Sequence, residues 1–470
     1  MLREDRDEEK EINMKTIYDV IIIGSGISGL ATVHFLQKMR PDLRVLLLEK
    51  SERAGGAIKS FFEDGFLAEC GPHGFLDNVE ESREILRDTG LEKEAQPVPL
   101  GDFRRFVCHQ GKLVALPQKP QSMLTTPLLS VKAKLRLLGD LWMKPCQEDQ
   151  TIAEWAEYRF GKGVLPLVDV AVIGTFSGDY QRLSIDAVMP GVRRLEKEHG
   201  SIFRGLKAKK KKSKRSGPLP AMKNFAQGLE RLVEVPARDR EIVFNSSVRW
   251  LNRQDDGCYH IDTAKKRFSA HNVVMGLPVN PALSLLSKLS TPPVAAIPVS
   301  RIFNVALGFT DRAQIPYGFG YLAPERENRF ALGALFSSQM FPGRAPAGHV
   351  LLEALVGGRR HPEKLELADE EIIKRVLGDL KQLIDLPEPP VFSRVLKPTG
   401  GIPQLEMDHP RLLEWRRALE HKEKGLYICG FGWDGIGIND MTKSARRVAE
   451  AIVAGGRGEA EKDAVKGVYF

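Results

Sequence analysis

A run of apolar, β-branched residues near the start of the chain ends in three closely spaced glycines. The stretch YDVIIIGSGISG, residues 18–29, predicts a buried strand that runs directly into Gly24, Gly26 and Gly29. An apolar helical pattern follows, and LRVLLLEK, residues 43–50, predicts a second buried strand. Strand, glycine turn, helix and strand in this order are typical of a dinucleotide-binding unit. The pattern therefore predicts an α/β domain with a parallel sheet.

Each of the three glycines has a separate expected role. Gly24 permits the tight turn, Gly26 lets a pyrophosphate approach the backbone, and Gly29 lets the helix pack closely on the strand. The helix N-terminus then offers free N–H groups and a positive dipole end to the phosphates. Glu49 ends the second strand, 20 residues after Gly29, where a carboxylate accepts a hydrogen bond from a ribose 2′-hydroxyl. A 2′-phosphate would be repelled there, which disfavours NADP.

A second glycine turn after the acidic residue indicates which dinucleotide is bound. The stretch EKSERAGGAIKS, residues 49–60, places Arg53 and the pair Gly55–Gly56 shortly after Glu49. This spacing resembles the signature of the flavin-containing amine oxidase superfamily, which includes monoamine oxidases, phytoene desaturases and protoporphyrinogen oxidases. The resemblance implies FAD as the cofactor.

The C-terminal region repeats the pattern of strand, glycine turn and helix. Residues 425–453 contain LYICG, a predicted buried strand, then DGIGIND, a glycine turn, and then MTKSARRVAEAIV, a predicted helix. Its N-terminus can meet a phosphate or a flavin carbonyl. Together with the resemblance, this predicts that both ends of the chain hold one FAD. The predicted cofactor-binding residues are Gly24, Ser25, Gly26, Ile27, Ser28, Gly29, Glu49, Lys50, Arg53, Gly56, Ala57, Gly71, Pro72, His73, Gly74, Val248 (through its backbone, at the adenine), Trp433, Ile436, Gly437 and Ile438.

Further segments resemble the protoporphyrinogen oxidase family, including its relatives that act on coproporphyrinogen. They follow the order of that family from about residue 17 to residue 455. The chain departs from the family pattern at His73, Leu405, Asp408 and Trp433. The matching segments are AECGPHGFLDN (68–78), RRFVCHQGKLVALP (104–117), GTFSGDYQRLS (174–184), RRLEKEHGSIFRG (193–205), GFGYLAP (318–324), SSQMFPGRAPAG (337–348) and the final GIND.

The resemblance implies a function in haem biosynthesis. Protoporphyrinogen IX would be oxidised to protoporphyrin IX, with six electrons leaving in three flavin cycles and O2 accepting them to give H2O2. Oxidation of coproporphyrinogen III is an alternative, and so are an amine oxidase, a carotenoid desaturase and a flavin-binding scaffold without turnover. No Ser-His-Asp arrangement, carboxylate pair or metal-ligand cluster stands out, so no catalytic side chain and no metal are expected. The flavin carries the chemistry, and a base role for His73 is not required.

The substrate of such an enzyme is an apolar macrocycle with anionic propionates. An arginine can bind a carboxylate through two hydrogen bonds, and Arg105 is the expected anchor because it matches the family hairpin. The alternative is that Arg105 is a surface arginine with no role in substrate binding. Phe176 and Leu183 are candidates for the wall of the substrate slot, with core packing as the alternative for both.

The expected fold combines α/β and α+β parts. A discontinuous Rossmann-like FAD domain would cover residues 15–90, 222–285 and 425–456, and an antiparallel-sheet substrate domain would cover 286–424. A helical insert over 91–215 is expected to associate with a membrane, because in relatives this insert rests on the membrane surface. Residues 1–14 and 457–470 are expected to be tails, the first of them disordered.

Charge and cysteine content limit the partners and the compartment. The net charge of +8 is partly due to the basic run Lys207–Arg215, which is either a solvated loop or an attachment to anionic lipid. Nucleic acid is not expected, because no aromatic residues or DNA-binding motif accompany the run. Five scattered cysteines without C-x-x-C spacing favour a reducing compartment. We expect a cytoplasmic protein, peripheral on the inner face of the cell membrane, with ferrochelatase or a second copy of the chain as candidate partners.

Overall fold

The computed structural model describes residues 17–99, 101, 103–118, 120–212 and 220–455. The predicted tails, 1–14 and 457–470, lie outside the described residues, as does the end of the basic run, 213–215. The described strands are β1 (Ile17–Ile23), β2 (Val45–Leu48), β3 (Ser60–Glu63), β4 (Phe66–Glu69), β5 (Phe75–Leu76), β6 (Ala95–Pro99), β7 (Arg105–His109), β8 (Lys112–Ala115), β9 (Ala221–Phe225), β10 (Ile242–Val243), β11 (Val248–Arg253), β12 (Tyr259–Thr263), β13 (Arg267–Met275), β14 (Val299–Ser300), β15 (Ile302–Thr310), β16 (Gly320–Leu322), β17 (Gly333–Leu335), β18 (His349–Gly357), β19 (Phe392–Leu396), β20 (Ile402–Pro403) and β21 (Leu426–Ile428).

The α-helices lie between these strands, in one long segment between β8 and β9, and after β21. Short 3₁₀ turns extend several of them, among them the turn Leu138–Leu141. The α-helices of the described residues are α1 (Ile27–Met39), α2 (Glu80–Asp88), α3 (Pro120–Thr125), α4 (Val131–Leu137), α5 (Ile152–Phe160), α6 (Leu165–Phe176), α7 (Ile185–Val188), α8 (Pro190–His199), α9 (Ile202–Lys212), α10 (Arg231–Ala237), α11 (Val279–Leu286), α12 (Ser337–Met340), α13 (Asp369–Lys381), α14 (His409–Lys422) and α15 (Ile438–Val453).

The first sheet has parallel strands at its centre, and both of its faces are covered. Its order is β10-β2-β1-β13-β12-β11, with β21 beside the end of β13. In β1, Val20 and Ile22 face a core shared with α1 and α15, whereas Ile21 and Ile23 face a core shared with α11 and α14. Neighbouring side chains of a strand point to opposite faces, so a strand covered on both sides is apolar at every position. The unbroken apolar run before Gly24 has this cause.

Glycines let three distant parts of the chain meet at the carboxyl end of this sheet. A Cβ atom on Gly29 would stand 2.0 Å from the carbonyl oxygen of Gly24, so α1 crosses β1 at backbone contact distance. A Cβ atom on Gly276, which follows β13, would lie 3.4 Å from the Cα atom of Gly29. After β21, Gly430 has a φ of +130° and approaches the carbonyl oxygen of Leu277. N-terminal, central and C-terminal segments therefore form one sheet.

The second sheet is mostly antiparallel and lies against the first part of the chain. Its order is β19-β15-β18-β17-β16-β7-β8. One face packs on α13, and the opposite face packs on Phe66 and Ala68 of β4. The apolar stretches FNVALGF (303–309) and HVLLEALVGG (349–358) lie in β15 and β18.

The hairpin of β7 and β8 lies in the second sheet, although the sequence pattern predicts a helical insert that begins at residue 91. Strand β7 pairs in parallel with β16, in the register Gly320 to Arg105. Strand β6 joins a small sheet of order β5-β9-β6. The helices of the insert begin at Pro120. Nothing local in the sequence of β7 identifies so distant a partner strand, and the domain boundary at residue 91 stays a prediction.

Helices α4 to α9 enclose an apolar core of their own with a buried ionic centre. The guanidinium of Arg159 is fully buried and pairs with Asp140 at 3.0 Å and Glu196 at 2.8 Å. Glu196 also accepts from the indole N–H of Trp155 at 2.9 Å. Removal of one member would leave an uncompensated buried charge, so this centre fixes how the helices pack. Within the described ranges, no helix is long and apolar enough to cross a membrane.

The second and third glycines of the first turn, Gly26 and Gly29, predict different responses to one added methyl group. Gly29→Ala should lower the free energy of unfolding by about 3 kcal/mol or more, because its Cβ atom would overlap the Gly24 carbonyl oxygen. Gly26→Ala should cost about 1 kcal/mol or less, since nothing lies within 4 Å of its Cβ position. Thermal unfolding followed by circular dichroism, without added cofactor, measures both. Equal destabilisation by the two substitutions would contradict this packing.

Candidate flavin and substrate site

The first glycine turn and the end of β2 form an open cradle with a carboxylate at its edge. Gly24 has a φ of +99°, and no protein atom lies within 4 Å of the position that a methyl group on Gly26 would occupy. Glu49 Oε2 accepts hydrogen bonds from the Ser25 backbone N–H at 2.9 Å and the Ser25 hydroxyl at 2.8 Å. Glu49 is 6% exposed, so its orientation is fixed. Backbone N–H groups and a ribose-side carboxylate stand together here, as a dinucleotide requires.

The second glycine turn lies directly against the first. The Gly55 N–H donates to the carbonyl oxygen of Ser25 at 2.8 Å, and Gly56 lies close to Gly26. Both glycines of the pair have positive φ angles, +106° and +58°. The Arg53 guanidinium donates to the Gly56 carbonyl oxygen at 2.8 Å and pairs with Glu230 at 3.0 Å. Arg53 therefore braces this turn, and its contact with FAD stays a prediction.

The C-terminal turn is joined to the segment that follows the second glycine turn. Asn439, at the start of α15, donates through Nδ2 to the Leu76 carbonyl oxygen at 2.9 Å. The Gly437 N–H donates to the Asp440 carboxylate at 3.1 Å, which caps the helix. Trp433 is 1% exposed, and its indole N–H has no hydrogen-bond partner among the described residues. An unpartnered buried donor beside the predicted flavin turn fits a polar ligand atom at this place.

Residues 69–76 run between these predicted cofactor-binding elements. A Cβ atom on Gly71 would stand 2.1 Å from the Ala57 carbonyl oxygen, and one on Gly74 would stand 2.8 Å from the carbonyl oxygen of Lys223. The segment is thus held at backbone contact distance between the second glycine turn and β9. His73 lies in the middle of it.

Two buried carboxylates fix this segment and link it to the second sheet. Glu69 accepts from Asn224 Nδ2 at 2.9 Å and pairs with Arg344 at 2.8 Å. Glu353 of β18 accepts from the Glu69 backbone N–H at 3.1 Å, and its Oε2 lies 3.3 Å from His73 Nε2. The cluster of Glu69, His73, Asn304, Ser337, Arg344 and Glu353 is called the junction cluster below.

His73 and Glu353, at the centre of the junction cluster, shift each other's pKa. Burial alone raises the pKa of Glu353, but the His73 charge and hydrogen bonds from His73, Ser337 and Asn304 outweigh it and lower the pKa to about 2. Burial alone lowers the pKa of His73, and the nearby Glu353 carboxylate outweighs it, so the net shift is upward. The pair therefore favours the charged form of each residue.

Sequence reasoning identifies His73 but misses its partners. Glu353 is the single charged residue inside the apolar stretch HVLLEALVGG of β18, which is the available signal. A lone carboxylate in an otherwise buried strand needs a partner. The partners Asn304, Ser337 and Arg344 come from other segments, and nothing local in the sequence identifies them.

Arg105, the predicted substrate anchor, lies at the start of β7. Its guanidinium stands over the ring of Phe319 at 5.3 Å. Across the residues the structure describes, its side chain has no hydrogen bond and no carboxylate partner, and burial lowers its pKa. A half-buried arginine without a counter-ion fits the binding of an anionic ligand group, and that role stays a prediction.

The other predicted contacts are placed differently. Phe176 and Leu183 are 5% and 0% exposed in the core of the helical part, so their burial supports core packing and substrate contact stays untested. Val248 begins β11 and is half-buried. Cys429 is fully buried, and burial raises the pKa of its thiol to about 12, which fits a small packing residue.

Comparison with known proteins identifies the relatives of the chain. The flavin containing amine oxidoreductase family matches residues 27–453. The coproporphyrinogen III oxidase of Bacillus subtilis (strain 168) is 27% identical, over 92% of this chain and 97% of its own. The chloroplastic protoporphyrinogen oxidase of Nicotiana tabacum is 28% identical, over 92% of this chain and 85% of its own.

Solved structures share the fold at lower identity. A crystal structure from Exiguobacterium sp. 255-15 superposes with a TM-score of 0.74 at 23% identity, covering 92% of this chain and 98% of that one. Reduced UDP-galactopyranose mutase superposes with a TM-score of 0.71 at 15% identity, covering 93% of this chain and 94% of that one. These likenesses confirm the mixed α/β fold.

The family match and the named relatives together confirm the resemblance drawn from the motifs, and they confirm FAD as the cofactor. The chain belongs to the flavin containing amine oxidoreductase family.

Proposed function

We propose that this protein uses FAD and O2 to oxidise protoporphyrinogen IX to protoporphyrin IX in haem biosynthesis, with H2O2 as the reduced product. The observation that carries the proposal is similarity over nearly the whole chain to relatives named protoporphyrinogen oxidase and coproporphyrinogen III oxidase. Arg105, which has no carboxylate partner in the described part of the chain, supports a substrate with carboxylate groups. Bound FAD would accept two electrons in each of three cycles.

The chain's own residues bind, orient and shield in this reaction. Gly24, Gly26 and the start of α1 would hold the pyrophosphate, and Glu49 would hold the ribose. Arg105 would bind a propionate and so fix which part of the macrocycle approaches the flavin. The junction cluster would hold residues 69–76 against the cofactor and exclude water from that side.

Coproporphyrinogen III is the second candidate substrate. The relatives from Bacillus subtilis and Staphylococcus aureus, 27% and 25% identical, carry the name coproporphyrinogen III oxidase. The two substrates differ by two ring substituents, vinyl in one and propionate in the other. A second cation near the slot would favour the more anionic substrate.

The two substrates are distinguished by direct turnover. Purified, FAD-loaded protein is incubated in air with each porphyrinogen, while porphyrin fluorescence and H2O2 are followed against a protein-free blank. We expect porphyrin formation well above autoxidation, with a higher kcat/KM for protoporphyrinogen IX. A reversed ratio would favour coproporphyrinogen III as the substrate. Yellow protein without turnover would support a flavin-binding scaffold. Turnover of an amine or a carotenoid instead would indicate an amine oxidase or a carotenoid desaturase of the same superfamily.

Arg105 predicts a change in substrate binding. Arg105→Ala should raise the KM for the porphyrinogen about 10- to 100-fold, the equivalent of one charge-assisted hydrogen-bond pair. Arg105→Lys should retain part of the affinity, because it keeps the charge and loses the two-point geometry. Arg312→Ala is the matched control, since that side chain is 74% exposed and pairs with Glu388 elsewhere. An unaltered KM in Arg105→Ala would remove it from the site.

We propose further that the helical part contacts an anionic membrane surface. Val131, Leu135 and Leu138 follow a helical spacing but are 72%, 65% and 53% exposed, and Trp142 is 74% exposed. Phe203 and Leu206 of the neighbouring α9 are also exposed. The Phe203 N–H donates to Asp140 at 3.1 Å, so the start of α9 lies beside the turn Leu138–Leu141. Apolar residues bordered by lysines are typical of peripheral membrane binding.

Vesicle binding tests this surface. Leu135→Glu and Trp142→Glu should each lower binding to vesicles containing phosphatidylglycerol by about tenfold. Each substitution puts a charged side chain where the wild-type protein buries apolar area in the membrane surface. Phe62→Glu is the matched control, because Phe62 is 71% exposed on the hairpin of β3 and β4. Deletion of residues 207–215 should reduce the salt dependence of binding. If Phe62→Glu and Leu135→Glu behave alike, the surface is not a membrane contact.

Partners and location follow from this proposal. Attachment would be peripheral, on the inner face of the cell membrane, with the bulk of the protein in the cytoplasm. A ferrochelatase that receives the porphyrin, or a second copy of the chain, is the partner that we propose.

A further inference from the structure

The segment that carries His73 lies between both predicted flavin-binding ends of the chain. On one side, Gly71 touches the Ala57 carbonyl oxygen immediately after the second glycine turn. On the other side, Asn439 of the C-terminal turn binds the Leu76 carbonyl oxygen at 2.9 Å. A ligand held by both turns must pass along residues 71–76. Ligands bind preferentially at such junctions between two domains.

Counting charges in the junction cluster assigns a positive charge to His73. Glu69 and Glu353 are 2% and 1% exposed, and each brings an acidic side chain into the cluster. Arg344 is 2% exposed and pairs with Glu69 at 2.8 Å. Glu353 is then left with His73 at 3.3 Å as its nearest described cation. An uncompensated buried carboxylate is costly, so the cluster is stable as two pairs with His73 protonated.

Of the pair His73 and Glu353, His73 is the residue whose side chain is partly exposed. Its side chain is 15% exposed, against 1% for that of Glu353. The remaining hydrogen-bond donors to Glu353 are the Asn304 amide, the Ser337 hydroxyl and the Glu69 backbone N–H, and all three are neutral. The charged groups around His73 are therefore Glu353 of β18, Glu69 of β4 and Arg344, each facing it from a different element.

We propose that His73, held as an imidazolium by Glu353, places a fixed positive charge beside the bound flavin and makes its reduction more favourable. The inference rests on the proposed function for the presence and the orientation of FAD. Reduction adds negative charge to the ring system. A cation held in a water-excluded site stabilises that charge without reorganisation. This is an electrostatic role, and His73 neither accepts nor donates a proton in it.

The midpoint potential of the bound flavin tests this role without any turnover. His73→Asn should lower it by about 30 mV, which is a tenfold shift for a two-electron couple, and should weaken sulfite addition to the flavin to a similar extent. His73→Arg keeps the charge and should restore both values. His349→Asn is the matched control, since His349 lies half-buried at the start of the same strand as Glu353. A potential unchanged in His73→Asn would overturn the proposal.

The pH dependence gives a second readout. His73 loses its charge as the pH rises through its raised pKa, so the wild-type potential should fall more steeply there. Neither His73→Asn nor His73→Arg should show this step. Glu353→Gln should move the step to lower pH, because the imidazolium loses its partner. A step that persists in His73→Asn would assign the titration to another group.

Failure of this inference can be told apart from failure of the proposed function. Protein that takes up no FAD would overturn both. Protein that binds FAD and oxidises a porphyrinogen, but whose potential does not respond to His73→Asn, would overturn the inference alone. If Glu353→Gln does not fold, the comparison of His73→Asn with His73→Arg tests the proposal. If the His73→Asn protein has a low flavin content, His73→Gln takes its place.

Discussion

The carboxylate of Glu69 holds together the parts of the fold that form the candidate site. It accepts from the Ser60 hydroxyl at 2.6 Å, from Asn224 at 2.9 Å and from the Leu229 N–H at 3.0 Å, and it pairs with Arg344 at 2.8 Å. These groups come from separate segments of the chain. Because a buried carboxylate is stable only when its partners are in place, the position of each segment depends on the others. Glu69 is also the first residue of the segment 69–74, so fixing its side chain fixes where the backbone of that segment begins.

The elements predicted correctly from sequence are those whose chemistry is local. The backbone geometry requires glycine in the turn from Gly24 to Gly29 and in the pair Gly55–Gly56, because few other residues tolerate it. Glu49 lies at a fixed distance along the chain from the first turn. Strands β15 and β18 are evident in the sequence because covered strands are apolar throughout.

What the sequence does not reveal depends on pairing between distant segments. The β7 hairpin joins β16 from far along the chain, and its own residues carry no sign of that partner. The junction cluster likewise combines Glu69, Asn304, Arg344 and Glu353 from four places in the chain. Phe176 and Leu183 are buried in a core that includes Leu405, which lies far along the chain and which no local periodicity identifies.

The strand order of the first sheet sets limits on how the protein is made. Strand β1 pairs with β13, and β13 pairs with β21, which is the final described strand before α15. During synthesis the opening glycine turn must therefore wait for most of the remaining chain before its sheet is complete. Until β21 is made, the edge of β13 at Val273–Met275 lacks its partner strand and is exposed to aggregation or to chaperones.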